Sequence, residues 1–116
     1  MIQKPLNLFV LDDSKNDREL IKATLEREFP EAIFTMGEGL MDFKERSGWI
    51  KPDLILCDYE MRDSNGLEIL LEVRSHWDTP FIFVTGALND QSKISQSILN
   101  GASEFVFKDN ISMLPN

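Results

Sequence analysis

Cysteine and histidine are almost missing from this chain: Cys57 and His76 each stand alone among 116 residues. A lone cysteine forms no internal disulfide, and one cysteine with one histidine supplies too few ligands for a zinc site. No apolar run is long enough for a helix that crosses a bilayer. The opening segment Met1-Ile2-Gln3-Lys4-Pro5 lacks the apolar stretch and small-residue cleavage site of a signal peptide. Basic residues are scarce as well, 12 Lys and Arg against 20 Asp and Glu, and a net charge of −8 disfavours a nucleic-acid-binding surface. Repeats, low-complexity tracts and linkers are also absent. The expectation is one small, acidic, cytoplasmic domain with no membrane and no direct nucleic-acid partner.

What the chain does have is alternation. Apolar residues make up 42%, enough to bury a core, and they arrive in short bursts. Residues 6–11 (broken by Asn7), 53–57, 81–84 and 105–107 are rich in Phe, Ile, Leu and Val without polar alternation. Such runs fit strands buried on both faces of a parallel sheet. Residues 32–36 form a weaker run and read as a fifth strand at an edge.

Helix-length stretches lie between the strands. Ser14 reads as an N-cap, followed by Leu20, Ile21, Ala23, Leu25 and Phe29 at helical spacing until Pro30. Leu40–Arg46 reads as a short second helix and residues 66–77 as a third with a broad apolar face. Residues 90–100 read as a fourth, with Gly101 in the C-cap position. Residues 111–116 look like the first turn of a truncated fifth helix. The order βαβαβαβαβ predicts an α/β fold, a doubly wound parallel sheet with helices on both faces.

The polar residues that end these strands carry the functional signal. The first strand ends in Asp12-Asp13, the third in Asp58, the fourth in Thr85 and the fifth in Lys108. In an open α/β sheet the binding crevice forms outside the carboxyl ends, where the strand order reverses. In a flavodoxin-like five-stranded order of 2-1-3-4-5, that reversal lies between strands one and three, which deliver the three aspartates. Converging carboxylates raise one another's pKa, and a divalent cation together with Lys108 balances them. Oxygen-only ligands point to Mg²⁺, with Mn²⁺ as a substitute. A carboxylate beside Mg²⁺, a hydroxyl and an ammonium is equipped to accept a phosphoryl group as an acyl phosphate. Singly, each of these residues is as readily a turn residue or a solvated charge; together, at matching strand ends, they are not. His76 reads as a surface residue, Cys57 as inert core packing, and Trp49 and Trp77 as lids on the core.

The whole pattern resembles the receiver domain of two-component response regulators, from Leu6 to Leu114. The motifs are Asp12-Asp13, Asp53-Leu54-Ile55-Leu56-Cys57-Asp58-Tyr59-Glu60-Met61 and Gly66-Leu67. Phe81-Ile82-Phe83-Val84-Thr85-Gly86-Ala87 and Gly101-Ala102-Ser103-Glu104-Phe105-Val106-Phe107-Lys108 complete the set. The resemblance implies that Asp58 accepts a phosphoryl group from a histidine kinase or a histidine phosphotransfer protein. It implies that Asp13, Asp58 and the backbone carbonyl of Glu60 bind Mg²⁺, with Asp12 helping through water. Thr85 and Lys108 would bond phosphoryl oxygens, and Thr85 and Phe105 would form the switch. The fourth helix and fifth strand would carry the readout, and the first helix would dock the kinase partner. Such a domain catalyses only its own phosphorylation and dephosphorylation.

Two positions depart from the pattern. Arg62 stands where receivers commonly have proline, so the loop after Asp58 is expected to be less rigid. Asp109 stands in place of a proline after Lys108, which is expected to alter how the lysine is presented. The ending Lys108-Asp109-Asn110-Ile111-Ser112 resembles receivers attached to sensor kinases or cyclic-dinucleotide enzymes. The unfinished fifth helix is expected to mark a receiver, residues 1–116, excised from a longer protein. The apolar surface it leaves would favour a homodimer.

Three other readings are weaker. A small Mg²⁺-dependent aspartyl phosphohydrolase would place its nucleophile in an Asp-x-Asp motif after the first strand, whereas Asp58 is followed by Tyr59-Glu60. A phosphorylation-independent receiver-like binding module is disfavoured by the complete residue set. A flavin-binding flavodoxin is disfavoured by the acidic loop at residues 12–17, which cannot cradle a bare phosphate.

Overall fold

Side chains on a strand alternate between its two faces, and in β1 (Asn7–Leu11) both faces are buried: Leu8 and Val10 on one, Phe9 and Leu11 on the other. A strand of this kind needs a helical layer on each side. The computed structural model, which describes residues 5–48, 50–86 and 91–109, supplies both layers. After β1 come α1 (Lys15–Glu28), β2 (Ile33–Gly37), α2 (Leu40–Arg46), β3 (Leu54–Cys57) and α3 (Gly66–Arg74). β4 (Phe81–Thr85), α4 (Gln91–Leu99) and β5 (Glu104–Phe107) follow. The strands form one parallel sheet in the order β2-β1-β3-β4-β5, the doubly wound order expected. β2, the weakest apolar run, lies at an edge, one residue later than its hydrophobicity predicts. Residues 111–116, the expected start of a fifth helix, and Trp49 lie outside the described residues.

The two faces bury different side chains. On one, Leu8, Val10, Leu56, Ile82, Val84 and Val106 pack with Ile21 and Leu25 of α1. On the other, Phe9, Leu11, Ile55, Cys57, Phe81 and Phe83 pack with Phe43 of α2 and with Ile69, Leu70 and Val73 of α3. Cys57 is core packing as expected, and burial followed by the fields of Asp58 and Asp12 pushes its thiol pKa well above the usual value. Trp77 covers the aromatic core from the side, while His76 is exposed, with its imidazole 3.7 Å from Glu72.

Helix ends follow from local chemistry. Ser14 caps α1, its hydroxyl accepting from the Asp17 N–H at 3.3 Å. Asn65 and Glu68 form a reciprocal capping box at α3. α3 is shorter than its apolar pattern, ending at Arg74 rather than Trp77. There the His76 and Trp77 N–H groups both turn back to the Val73 carbonyl. The Arg74 guanidinium collects the carbonyls of Trp77, Thr79 and Gly101, which ties that end to the turn before β5. Gly101 has φ +102°, the left-handed conformation that follows a helix and favours glycine.

α2 has no capping side chain of its own, because its N-cap is Gly39. The carboxylate of Asp63, on the β3–α3 loop, takes that role and accepts from the N–H groups of Leu40 (3.2 Å) and Met41 (3.4 Å). A side chain at position 39 would collide with it, since a Cβ there falls 2.0 Å from Asp63 Oδ1.

Candidate functional site: an acidic crevice at the carboxyl edge of the sheet

The parity of the strands aims the site. Asp12 follows Leu8 and Val10 in steps of two, Asp58 follows Leu56, and Lys108 follows Val106, so all three extend the face packed by α1. The backbone keeps them in register beyond the strand ends: Asp12 N–H donates to Gly37 O at 3.0 Å and Asp58 N–H to Leu11 O at 2.8 Å. Carboxylate oxygens of Asp12, Asp13 and Asp58 come within 4.8 Å of one another. Asp12 and Asp58 are buried and Asp13 is half-buried.

Lys108 closes the cluster. Its ammonium lies 2.9 Å from Asp12 Oδ2 and 3.2 Å from Asp58 Oδ2. It also lies 2.7 Å from Asp17 Oδ2, a contact to the first turn of α1 that residue types at strand ends do not reveal. Burial opposes the charged ammonium, but its close contacts with Asp17 and Asp12 and the field of Asp58 outweigh it and hold Lys108 above the ordinary lysine pKa. Burial pushes the Asp12 pKa up and the charge of Asp58 adds to this, against the hydrogen bond from the Ser14 N–H (2.9 Å) and the nearby Lys108 ammonium.

Asp12 Oδ2 is buried, and no donor is aligned on it: Lys108 approaches within ion-pair distance but off the hydrogen-bond direction. Three oxygen donors around such an atom fit a hard divalent cation of the Mg²⁺ kind.

Thr85, Phe105 and Glu60, the remaining candidates, are placed by their own strands and loops. Thr85 ends β4 and is buried, paired in register with Phe107 of β5. Phe105 is half-buried, its ring stacked on Phe83 with centroids 4.8 Å apart. Phe83 in turn meets Tyr59, next to Asp58, at 5.4 Å. Glu60 is exposed and bridges to Asn65 across a tight loop, which Met61 N–H closes by donating to Ser64 O at 3.1 Å. The Asp63 carboxylate links the same loop, which carries Arg62, to the start of α2. Gly66 lets α3 begin against β3, since a Cβ there falls 2.7 Å from the Asp58 carbonyl oxygen and 2.3 Å from the Phe83 ring. Asp13 opens onto a groove of about 160 Å³ that Glu38, Asp42, Arg62 and Asp63 also line.

Three neighbours of the site escape sequence reasoning: Asp17, Arg18 and Asp63. Arg18 donates to the Asp12 carbonyl at 2.7 Å and so fixes the turn that carries both aspartates. The only local sign of Asp17 is an acid in the first turn of α1, which usually answers to the helix dipole.

Among the described residues no helix is long and apolar enough to cross a membrane. Comparison with known proteins agrees with the geometry. The chain is 32% identical over 108 residues to a protein-glutamate methylesterase/protein-glutamine glutaminase of Gluconobacter oxydans, covering 90% of this chain but 30% of that protein. It is 26% identical over 103 residues to the chemotaxis protein CheY of Listeria monocytogenes, covering 89% of this chain and 86% of that one. The response regulator domain of Thermotoga maritima CheB superposes with a TM-score of 0.74 at 25% identity, over 97% of this chain and 84% of that chain. Residues 8–114 match the model of the response regulator receiver domain. An acidic crevice at the switch point of a 2-1-3-4-5 sheet, with a lysine reaching in from the last strand, is thus matched by kinship: the chain belongs to the response regulator receiver domain family.

Proposed function

We propose that the chain is a phosphoryl-accepting switch of a two-component system in which Asp58 is the acceptor. The observation that carries this reading is the Asp58 carboxylate, grouped with Asp12 and Asp13 and contacted by the Lys108 ammonium at 3.2 Å. The donor is a phosphohistidine on a kinase or phosphotransfer protein. A carboxylate oxygen of Asp58 forms a bond to phosphorus as the phosphorus–nitrogen bond breaks, and the departing imidazole nitrogen takes a proton. Asp58 becomes an acyl phosphate. Lys108 stands beside the acceptor to pair with a phosphoryl oxygen, and the Thr85 hydroxyl supplies a hydrogen bond to another.

Asp13, Asp58 and the Glu60 carbonyl would hold Mg²⁺, with Asp12 acting through water. When bound, the ion neutralises charge on the transferring oxygens. The acyl phosphate favours the arrangement with Thr85 and Lys108 drawn toward it, and Phe105, stacked on Phe83, follows by packing. Phe105 has no hydroxyl, so it reports the switch by shape rather than by an outward hydrogen bond. The readout surface is that of α4 and β5, where Ile98, Leu99 and Phe107 are exposed, and the partner kinase docks on α1.

The test is intact-mass measurement after incubation with Mg²⁺ and acetyl phosphate, on wild type and Asp58→Asn. One added phosphoryl group on wild type alone is the expected result. No modification of wild type at any Mg²⁺ concentration, or equal modification of both proteins, would overturn the assignment.

A further inference from the structure

Lys108 has a carboxylate partner that phosphoryl acceptance does not require. Of its three carboxylate contacts the shortest, 2.7 Å, is to Asp17, against 2.9 Å to Asp12 and 3.2 Å to Asp58. Asp17 is firmly placed: its own N–H is taken by the Ser14 cap, and it lies in the first turn of a 14-residue helix. The lysine and aspartate side chains are 22% and 34% exposed, so solvent and salt screen this pair less than a surface ion pair.

From this geometry we infer that Asp17 is a positioning residue that competes with Asp58 for the Lys108 ammonium and sets the balance between cation and anion affinity in the crevice. The inference rests on the phosphoacceptor reading above and extends it to α1. Two physical effects act in the same direction. The first is charge: with Asp17 counted, the crevice holds four carboxylates and the Lys108 ammonium, and one divalent ion still leaves it at −1. An incoming phosphoryl group adds about −1.5 to −2, so the fourth carboxylate opposes the anion while favouring the cation. The second is geometry. The Asp17 contact, the shortest of the three, draws Lys108 away from Asp58, so the pair ties the end of β5 to α1 and favours the unphosphorylated arrangement.

The experiment compares wild type, Asp17→Asn and the conservative Asp17→Glu in two calorimetric titrations. One uses Mg²⁺ alone; the other uses beryllofluoride, a phosphoryl mimic, at saturating Mg²⁺. In Asp17→Asn, Mg²⁺ should bind more weakly and beryllofluoride more tightly, each by roughly 3–10-fold, while Asp17→Glu behaves like wild type. A purely structural role would move both affinities the same way, or neither, and either result overturns the inference. The two levels of the reading separate cleanly. Wild type that takes up neither beryllofluoride nor a phosphoryl group defeats the acceptor assignment and this inference with it. Wild type and Asp17→Asn that load equally well defeat the role of Asp17 alone.

Discussion

The face of the sheet under α1 is lined by aliphatic strand residues and ends in Asp12, Asp58 and Lys108, whereas the face under α2 and α3 carries a cluster of aromatic rings and ends, by the same steps of two, in Asp13 and Thr85. On the first, the fully buried strand residues are Leu, Ile and Val, and the next positions outward are Asp12, Asp58 and Lys108. On the second, Phe81, Phe83, Tyr59 and Phe105 form a connected set of rings with centroids 4.8–5.4 Å apart. Side-chain parity therefore places the lysine and its two buried aspartates beyond the aliphatic face, while the aromatic rings pack on the other. The site carries a buried Asp12 oxygen that has an ammonium at 2.9 Å but no aligned hydrogen-bond donor, while the opposite face supplies aromatic packing.

Substitution on each face tests that separation. Phe83→Ala removes a fully buried ring that touches Phe81, Tyr59 and Phe105. It should cost about 3–5 kcal/mol of stability in urea unfolding, with the Mg²⁺ affinity of the folded protein unchanged. If Mg²⁺ affinity falls along with stability, the two faces are not independent.

Asp12→Asn, on the charged face, should act in the opposite sense. Because burial disfavours the charged form of Asp12, its replacement should raise stability in Mg²⁺-free buffer by about 1 kcal/mol and weaken Mg²⁺ binding at the same time. A loss of stability would mean that the contact with Lys108 outweighs burial.

The smallest effect belongs to the clasp between the loop after Asp58 and α2. Asp63→Ala removes the cap on Leu40 and Met41 and should cost about 1 kcal/mol at neutral pH. The hydrogen bond from Ser64, helped by those from the Met41 and Leu40 N–H groups, outweighs burial and holds the Asp63 carboxyl below its ordinary pKa. A carboxyl whose pKa is lowered by folding stabilises the protein above its unfolded value and loses that contribution as pH falls through the folded one. The gap between wild type and Asp63→Ala in acid unfolding should therefore narrow below about pH 4; a gap that stays constant would show that the carboxylate charge has no part in the cap.

Much of this arrangement is legible along the chain. Apolar bursts mark four strands to within a residue or so, because a strand buried on both faces has no polar alternation to disguise it. Polar residues at the strand ends mark Asp12, Asp13, Asp58 and Lys108 as neighbours and put Thr85 at the same rim, because parallel strands in an open sheet all present their carboxyl ends to one edge. The Asn65–Glu68 capping box is visible too, as a spacing of three.

Asp17 and Asp63 are not legible in this way. Asp17 meets Lys108 across 91 positions, and Asp63 meets Leu40 across 23. Strand parity and helix caps are written into adjacent residues and survive without knowledge of the rest of the chain. The partners of a side chain on α1 or on a loop depend on which face each crossover packs against. That choice exists only once the helices have closed over the sheet.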